Sequence, residues 1–312
     1  MNTANDKPRR DFDAANSATP PLPIGLLIIG HGTREPAGVA EFLLAAERIA
    51  TQLAPLKTEP CFLELAEPTI DAAVARLAAA GIREMLVAPL ILFAAGHAKR
   101  DIPEAVAAAA ARHGVAVVEQ LPHLGCRPEL LSLSARRLEE ALCHLPSIHT
   151  VERYSSPTSL SPDSAVISRA ETLVVLIGRG SRDPEATAEM HRYARLYDSA
   201  VSVGRLDVGF TAMAEPGLET ALDAAGRLHP FRRVVVQPHL LFAGQLLDRI
   251  RAAVADAALR FPDREWLVAG HLGPEPEIVA AVSSQVVSRL AAAGGVKANA
   301  AKSPSPKPPN FA

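Results

Sequence analysis

Short apolar runs alternate with stretches of helical spacing along most of the chain. Leu26–Ile29 is a continuous apolar run closed by Gly30, the pattern of a strand buried on both faces. Phe42, Leu43, Ala46 and Ile49 then recur at helical spacing. A second strand is predicted over Cys61–Leu65. A helix follows over Ile70–Ala80, with Thr69 suited to its N-cap and Gly81 to its C-cap. Glu84–Phe93 reads as a third, longer strand. Asp101-Ile102-Pro103 reads as the opening of a helix that runs to His113 and stops at Gly114. Val115–Glu119 is predicted as a fourth strand and Pro128–Cys143 as a closing helix. Strand–helix alternation with short connections implies right-handed βαβ units and a mostly parallel sheet. Ligands of such sheets bind beyond the carboxyl ends of the strands.

The pattern occurs twice. Leu27-Ile28-Ile29-Gly30-His31-Gly32-Thr33-Arg34-Glu35-Pro36 lines up with Val175-Leu176-Ile177-Gly178-Arg179-Gly180-Ser181-Arg182-Asp183-Pro184, Gly30 falling on Gly178 at an offset of 148. The same offset carries Ala66-Glu67-Pro68 onto Ala214-Glu215-Pro216 and His123-Leu124-Gly125 onto His271-Leu272-Gly273, while Phe93-Ala94 meets Phe242-Ala243 with one residue of slip. A period this long is a duplicated domain, since solenoid units run about 20–50 residues. The predicted fold is therefore α/β: two tandem, duplicated doubly wound domains with mostly parallel sheets. Expected boundaries are 24–145 and 172–294, with a Ser/Pro-rich linker at 146–171. Residues 1–23 and 295–312, polar and proline-rich, are expected to be disordered tails.

Composition narrows the classes. Of 312 residues, 48% are hydrophobic, enough for two packed cores, and 32 basic against 34 acidic side chains leave no excess to attract nucleic acid or an anionic membrane. The longest apolar run, Met85–Gly96, is short of a bilayer span, and the first residues lack the apolar stretch of a secretory signal, so a cytoplasmic protein is expected. Cys61, Cys126 and Cys143 show no CxxC spacing and read as small buried hydrophobes. The glycines around His31 have the wrong spacing for a dinucleotide fingerprint, and no Walker A lysine occurs. Ser181 follows the second glycine of its motif, unlike the serine of a hydrolase elbow, so a metal-dependent hydrolase lacks an activated nucleophile.

The predicted strand ends of the first copy carry His31, Glu64 and His97, followed by Lys99, Arg100 and Asp101. Two imidazoles and a carboxylate meeting in a cleft can hold a divalent metal or move protons near neutral pH. The matching positions in the second copy are Arg179, Ala212 and Gln245 or Leu246, so the three change together while the structural glycines and prolines persist. That contrast implies one chemical site per chain. His123 and His271 recur in both copies and read as structural. His239, in place of Leu90, also reads as structural.

Three motifs carry a resemblance: Gly30-His31-Gly32-Thr33-Arg34, then Phe62-Leu63-Glu64-Leu65-Ala66-Glu67-Pro68-Thr69, then Pro89 through Phe93-Ala94-Ala95-Gly96-His97-Ala98-Lys99-Arg100-Asp101-Ile102-Pro103. In this order they resemble the class II chelatases that insert a divalent metal into sirohydrochlorin in cobalamin and siroheme synthesis. The second copy is similar in frame, so the whole chain resembles the long, fused form of that family. The resemblance implies His31, His97 and Glu64 as catalytic and metal-site residues. It implies Co²⁺, favoured, or Fe²⁺ as metal substrate with no tightly bound cofactor, and sirohydrochlorin as the small-molecule partner. It also implies a monomer whose two halves face each other across a cleft. Neither a histidine-rich stretch nor an iron–sulfur motif, found in some long members, occurs here. The carboxylates of the macrocycle call for cationic donors, and Arg34, Lys99, Arg100, Arg179 and Arg182 are the candidates. The alternative is a tetrapyrrole or metal carrier that does not catalyse insertion.

Overall fold

The computed structural model describes residues 23–93, 96–143, 152–154 and 167–292, without the side chains of residues 96–98. The expected tails and most of the expected linker lie outside the described residues.

The first half runs β1 (Ile24–Gly30), α1 (Pro36–Gln52), β2 (Lys57–Phe62), α2 (Ile70–Ala79), β3 (Glu84–Pro89), α3 (Gly96–His113), β4 (Ala116–Gln120) and α4 (Pro128–Cys143). Its sheet is fully parallel, in the order β2-β1-β3-β4. A two-residue strand, β5 (Glu152–Arg153), follows. The second half then runs β6 (Thr172–Gly178), α5 (Pro184–Asp198), β7 (Arg205–Phe210), α6 (Leu218–Arg227), β8 (Arg233–Pro238), α7 (Gln245–Arg260), β9 (Glu265–Val268) and α8 (Pro276–Ala292). Its sheet repeats the same order and adds β5 antiparallel on the far edge, β5-β9-β8-β6-β7.

Strand parity sets the layers. Leu26 and Ile28 of β1 and Val174 and Leu176 of β6 point into one common core, which also takes Phe42 of α1, Leu133 of α4, Tyr193 of α5 and Val282 of α8. Helices α1, α4, α5 and α8 therefore pack between the two sheets. Leu27 and Ile29 point the other way, into a separate core under α2 and α3, and Val175 and Ile177 do the same under α6 and α7. With both faces of each sheet covered, the strands read as continuous apolar runs.

Several polar groups caught between the halves find partners across the seam. Arg137, 1% exposed, donates to the carbonyls of His271 and Leu272 and to Glu275 Oε1. Tyr193 and Tyr197 of α5 donate to the carbonyls of Leu130 and Ser134 on α4.

Four elements differ from the sequence expectation. The second strand begins earlier, at Lys57, and ends at Phe62. Its polar first half and Pro60 hide it, and both are tolerated because β2 is an edge strand with one unpaired side. The third strand stops at Pro89, and Leu90–Phe93 leave the sheet to line a cavity. Helix α3 opens at Gly96 rather than Asp101, with Pro103 inside it, so His97, Lys99 and Arg100 ride on a helix instead of a loop. Finally, Glu152–Arg153 of the expected linker form a sheet edge, too short to leave a periodic signal. Among the cysteines, Cys61 is buried as expected, whereas Cys126 is half-buried and Cys143 is exposed at the end of α4.

Candidate active site

Strand β1 delivers His31 to the sheet's carboxyl end. The chain leaving β2 runs alongside it: Leu63 N–H donates to the Gly30 carbonyl and Glu64 N–H to the His31 carbonyl, at 2.9 and 3.1 Å. Gly32 takes φ +99°, a conformation open to glycine, and a Cβ there would overlap the Glu64 carbonyl. This close approach sets the His31 Nδ1 atom 3.6 Å from Glu64 Oε1. Both side chains remain partly open to solvent, at 34% and 55% exposure, so ligands can reach them.

The second half builds the same turn with other side chains. Thr211 and Ala212 donate to the carbonyls of Gly178 and Arg179, and Gly180 takes φ +83° against the Ala212 carbonyl. Backbone bonds also settle the slip between the copies. Leu90 N–H meets the Ile29 carbonyl as His239 N–H meets that of Ile177, and α3 opens at Gly96 as α7 opens at Gln245. The counterpart of His97 is therefore Leu246. Gln245 instead donates to Glu35 Oε1 across the seam, at 2.9 Å.

A cavity of about 1080 Å³ lies over these strand ends, at the upper limit of the ~300–1,000 Å³ usual for small-molecule sites. Both halves line it. His31 and Glu64 stand in its wall, with Arg34 and Arg100 from the first half and Arg179 and Arg182 from the second. Lys99 is placed differently from the other cationic candidates. Its Nζ lies 2.8 Å from Asp183 Oδ2 and 2.6 Å from Glu185 Oε2, on the residue that caps α5 and the one after Pro184. The hydrogen bond to Asp183, then that to Glu185, raises the lysine above its ordinary pKa. Lys99 is thus an ion-pair link between the halves and does not line the cavity, because α3 starts early enough to carry it to α5.

The side chain of His97 lies outside the described residues; its backbone is in the first turn of α3. Among the described residues no cluster of three or more metal-ligating side chains occurs. Of the expected triad, the described side chains bring His31 and Glu64 together, and α3, which carries His97, follows β3 in the chain.

His239 is 2% exposed, immediately after β8. Its ring stacks on Phe93 at 5.4 Å and leans on Tyr193 at 4.2 Å, and neither ring nitrogen has a hydrogen-bond partner. Burial pushes its pKa down to about 3, so the imidazole is neutral.

The residues that sequence reasoning missed are two glutamates. His123 Nε2 meets Glu189 Oε2 at 2.8 Å, and His271 Nε2 meets Glu41 Oε2 at 3.0 Å. Each pair joins one half to the other. A signal was present, because Glu41 and Glu189 are themselves 148 residues apart, as the histidines are.

A duplicated, doubly wound α/β chain with an imidazole–carboxylate pair in an arginine-lined cavity is the class that fold and site define. The sequence model of the CbiX family matches twice, over residues 25–141 and 173–289. The chain belongs to the CbiX family. It is 28% identical over 269 residues to the sirohydrochlorin ferrochelatase of Priestia megaterium, covering 86% of this chain and 91% of that one. It is 26% identical over 261 residues to the sirohydrochlorin cobaltochelatase of the same organism, covering 81% of this chain and 76% of that one. Among solved structures it superimposes on SirB from Bacillus subtilis with Fe³⁺ at a TM-score of 0.71, with 24% identity and coverage of 88% and 98%. That likeness establishes the shared fold.

Proposed function

We propose that this chain is a sirohydrochlorin chelatase, inserting a divalent metal, Co²⁺ in preference to Fe²⁺, into the tetrapyrrole on the route to cobalamin or siroheme. The observation that carries the reading is the His31–Glu64 pair, 3.6 Å apart at the strand ends, in a cavity large enough for a macrocycle. The names and metals of the relatives point the same way.

The chemistry suits these side chains. Metallation requires that the ion shed water, that the ring present its nitrogens, and that pyrrole N–H protons leave. His31 offers a neutral nitrogen to the metal or accepts a proton, and Glu64 adds the negative charge that favours the cation. His97, assigned by resemblance, completes the set from the start of α3. Arg34, Arg100, Arg179 and Arg182 face the same cavity and pair with macrocycle carboxylates through their forked donors. The second half lacks the metal-site residues and serves as the substrate clamp, so the two halves act as one monomeric unit across the cleft. A cytoplasmic location is proposed together with this activity; separately, no helix among the described residues is long and apolar enough to cross a membrane. The domain limits proposed are 24–145 and 172–294.

The test is an anaerobic absorbance time course of sirohydrochlorin with Co²⁺ and, separately, Fe²⁺, for wild type, His31→Ala and His97→Ala. Multiple-turnover metallation above background that collapses in both variants supports the reading, and the ratio of the two metal rates decides between them. Bound tetrapyrrole with no rate above background would make the protein a carrier.

A further inference from the structure

Two large apolar side chains are held out into the cavity by an unusual backbone. Leu65 and Met213 are 49% and 52% exposed, and both line the cavity. The other exposed large hydrophobics among the described residues, such as Leu44, Leu196 and Leu259, do not line it. Leu65 and Met213 are also the only two non-glycine residues with positive φ among the described residues, at 63° and 59°.

Each sits at the apex of a three-residue turn. Ala66 N–H donates to the Glu64 carbonyl and Ala214 N–H to that of Ala212, both at 2.8 Å, which are i to i+2 bonds of the γ-turn type. With positive φ at the centre this turn is strained, and glycine or asparagine would fill it at lower cost. The chain instead places a bulky apolar residue there twice, once in each half, at the same offset of 148. Neither fold nor solubility requires this. Strain and apolar exposure together, at symmetric points in the wall of one cavity, indicate a ligand that covers both side chains.

We infer that Leu65 and Met213 are substrate-gripping residues, one from each half, that pack against the apolar, conjugated body of the tetrapyrrole while the arginines hold its carboxylate rim. This rests on the reading of the cavity as the tetrapyrrole site. A macrocycle is planar and apolar on its faces and charged at its edge. The cavity wall offers the matching division, apolar at the two turn apices and cationic at Arg34, Arg100, Arg179 and Arg182. The thioether of Met213 adapts to a flat surface without a fixed shape.

The experiment measures metal-free sirohydrochlorin binding, by its absorbance, to the full chain carrying Leu65→Gly, Met213→Gly or both. Glycine removes the side chain and relieves the positive φ, so folding is preserved and thermal midpoints hold or rise. Each variant is expected to weaken binding about tenfold, ~1.4 kcal/mol, and the double variant about a hundredfold. Met213→Gly lies away from His31 and Glu64 in sequence and half. It should leave Co²⁺ affinity of the free protein and kcat unchanged while KM rises, the mark of a contact made equally in ground and transition states. Met213→Leu should bind as wild type does. Wild-type affinity in the glycine variants, or a loss confined to kcat, overturns the inference while leaving the chelatase reading intact. A wild-type protein that does not bind sirohydrochlorin overturns both.

Discussion

His271, at the end of the second sheet, meets Glu41 of α1 at 3.0 Å, so a residue of each half completes the hydrogen bonding of the other. The duplicated pair, His123 with Glu189 at 2.8 Å, makes the reciprocal bond. Glu41 Oε2 also accepts the Ala243 N–H at 2.7 Å, which ties the loop after β8 to α1. The two pairs add to Arg137–Glu275 and Lys99–Asp183 in holding the halves together.

Glu41→Ala strips partners from His271 and from the Ala243 N–H together. The expected loss of stability is about 1–3 kcal/mol in urea denaturation, since the His271 left behind is 4% exposed. A Glu41→Ala/His271→Ala cycle should show coupling, whereas simple additivity would mean the pair contributes nothing of its own.

Replacing Glu64 by glutamine keeps the shape of the site and removes its charge. Metal affinity of the free protein should fall and metallation slow by about tenfold or more, with the fold intact. His31→Ala should cost on the order of a hundredfold, the lower range for a positioned acid–base or ligand group. Stopped-flow metallation at saturating tetrapyrrole checks both values, and an unimpaired His31→Ala enzyme would remove this residue from the mechanism.

Arg179 and Arg182 are exposed in the cavity wall of the second half, at the strand end where arginine stands in place of His31. Converting both to alanine is expected to raise KM for sirohydrochlorin about tenfold and to leave metal binding untouched. Isothermal titration with each ligand separately reads the difference. Unchanged tetrapyrrole binding would refute the clamp.

Burial holds the His239 pKa near 3, against about 6.5 for an unfolded histidine. Below about pH 6.5 the unfolded chain takes up a proton that the folded chain refuses, so stability is full above that pH and falls as pH drops. The slope is about 1.4 kcal/mol per pH unit down to the folded value. His239→Leu copies Leu90 of the first half and should flatten this dependence between pH 7 and 5 by about 2 kcal/mol. Equal pH profiles for the two proteins would show that the imidazole is not held neutral.

Gly32→Ala introduces a Cβ where the Glu64 carbonyl already lies, at a φ of +99°. The Glu64 loop must move, and metallation should collapse more severely than stability. The same change at Gly180 displaces Ala212, which carries no metal-site group, so Gly180→Ala should affect stability comparably and metallation less. Parallel melts and rate measurements on the two variants separate the effects.

The sequence alone determined the alternation of strands and helices, the duplication, and the candidate triad at the strand ends. Apolar periodicity and punctuating glycines are local properties, so β1, α1, α2 and α4 were legible from neighbours in the chain. The contrast between His31 and Arg179, and between Glu64 and Ala212, was legible because a duplicated chain contains its own comparison. What tertiary structure decided is what depends on the unseen partner. Pro60 is acceptable in β2 because that strand is an edge, which no local window reveals. Lys99 belongs to an inter-half ion pair because α5 places Asp183 within 2.8 Å of it. Glu41 finds His271 across more than two hundred residues, and Leu65 and Met213 acquire meaning only as the apices of two strained turns in one wall. Hydrogen bonds and ion pairs between remote residues are set by distances, and those distances exist only once the two halves have packed.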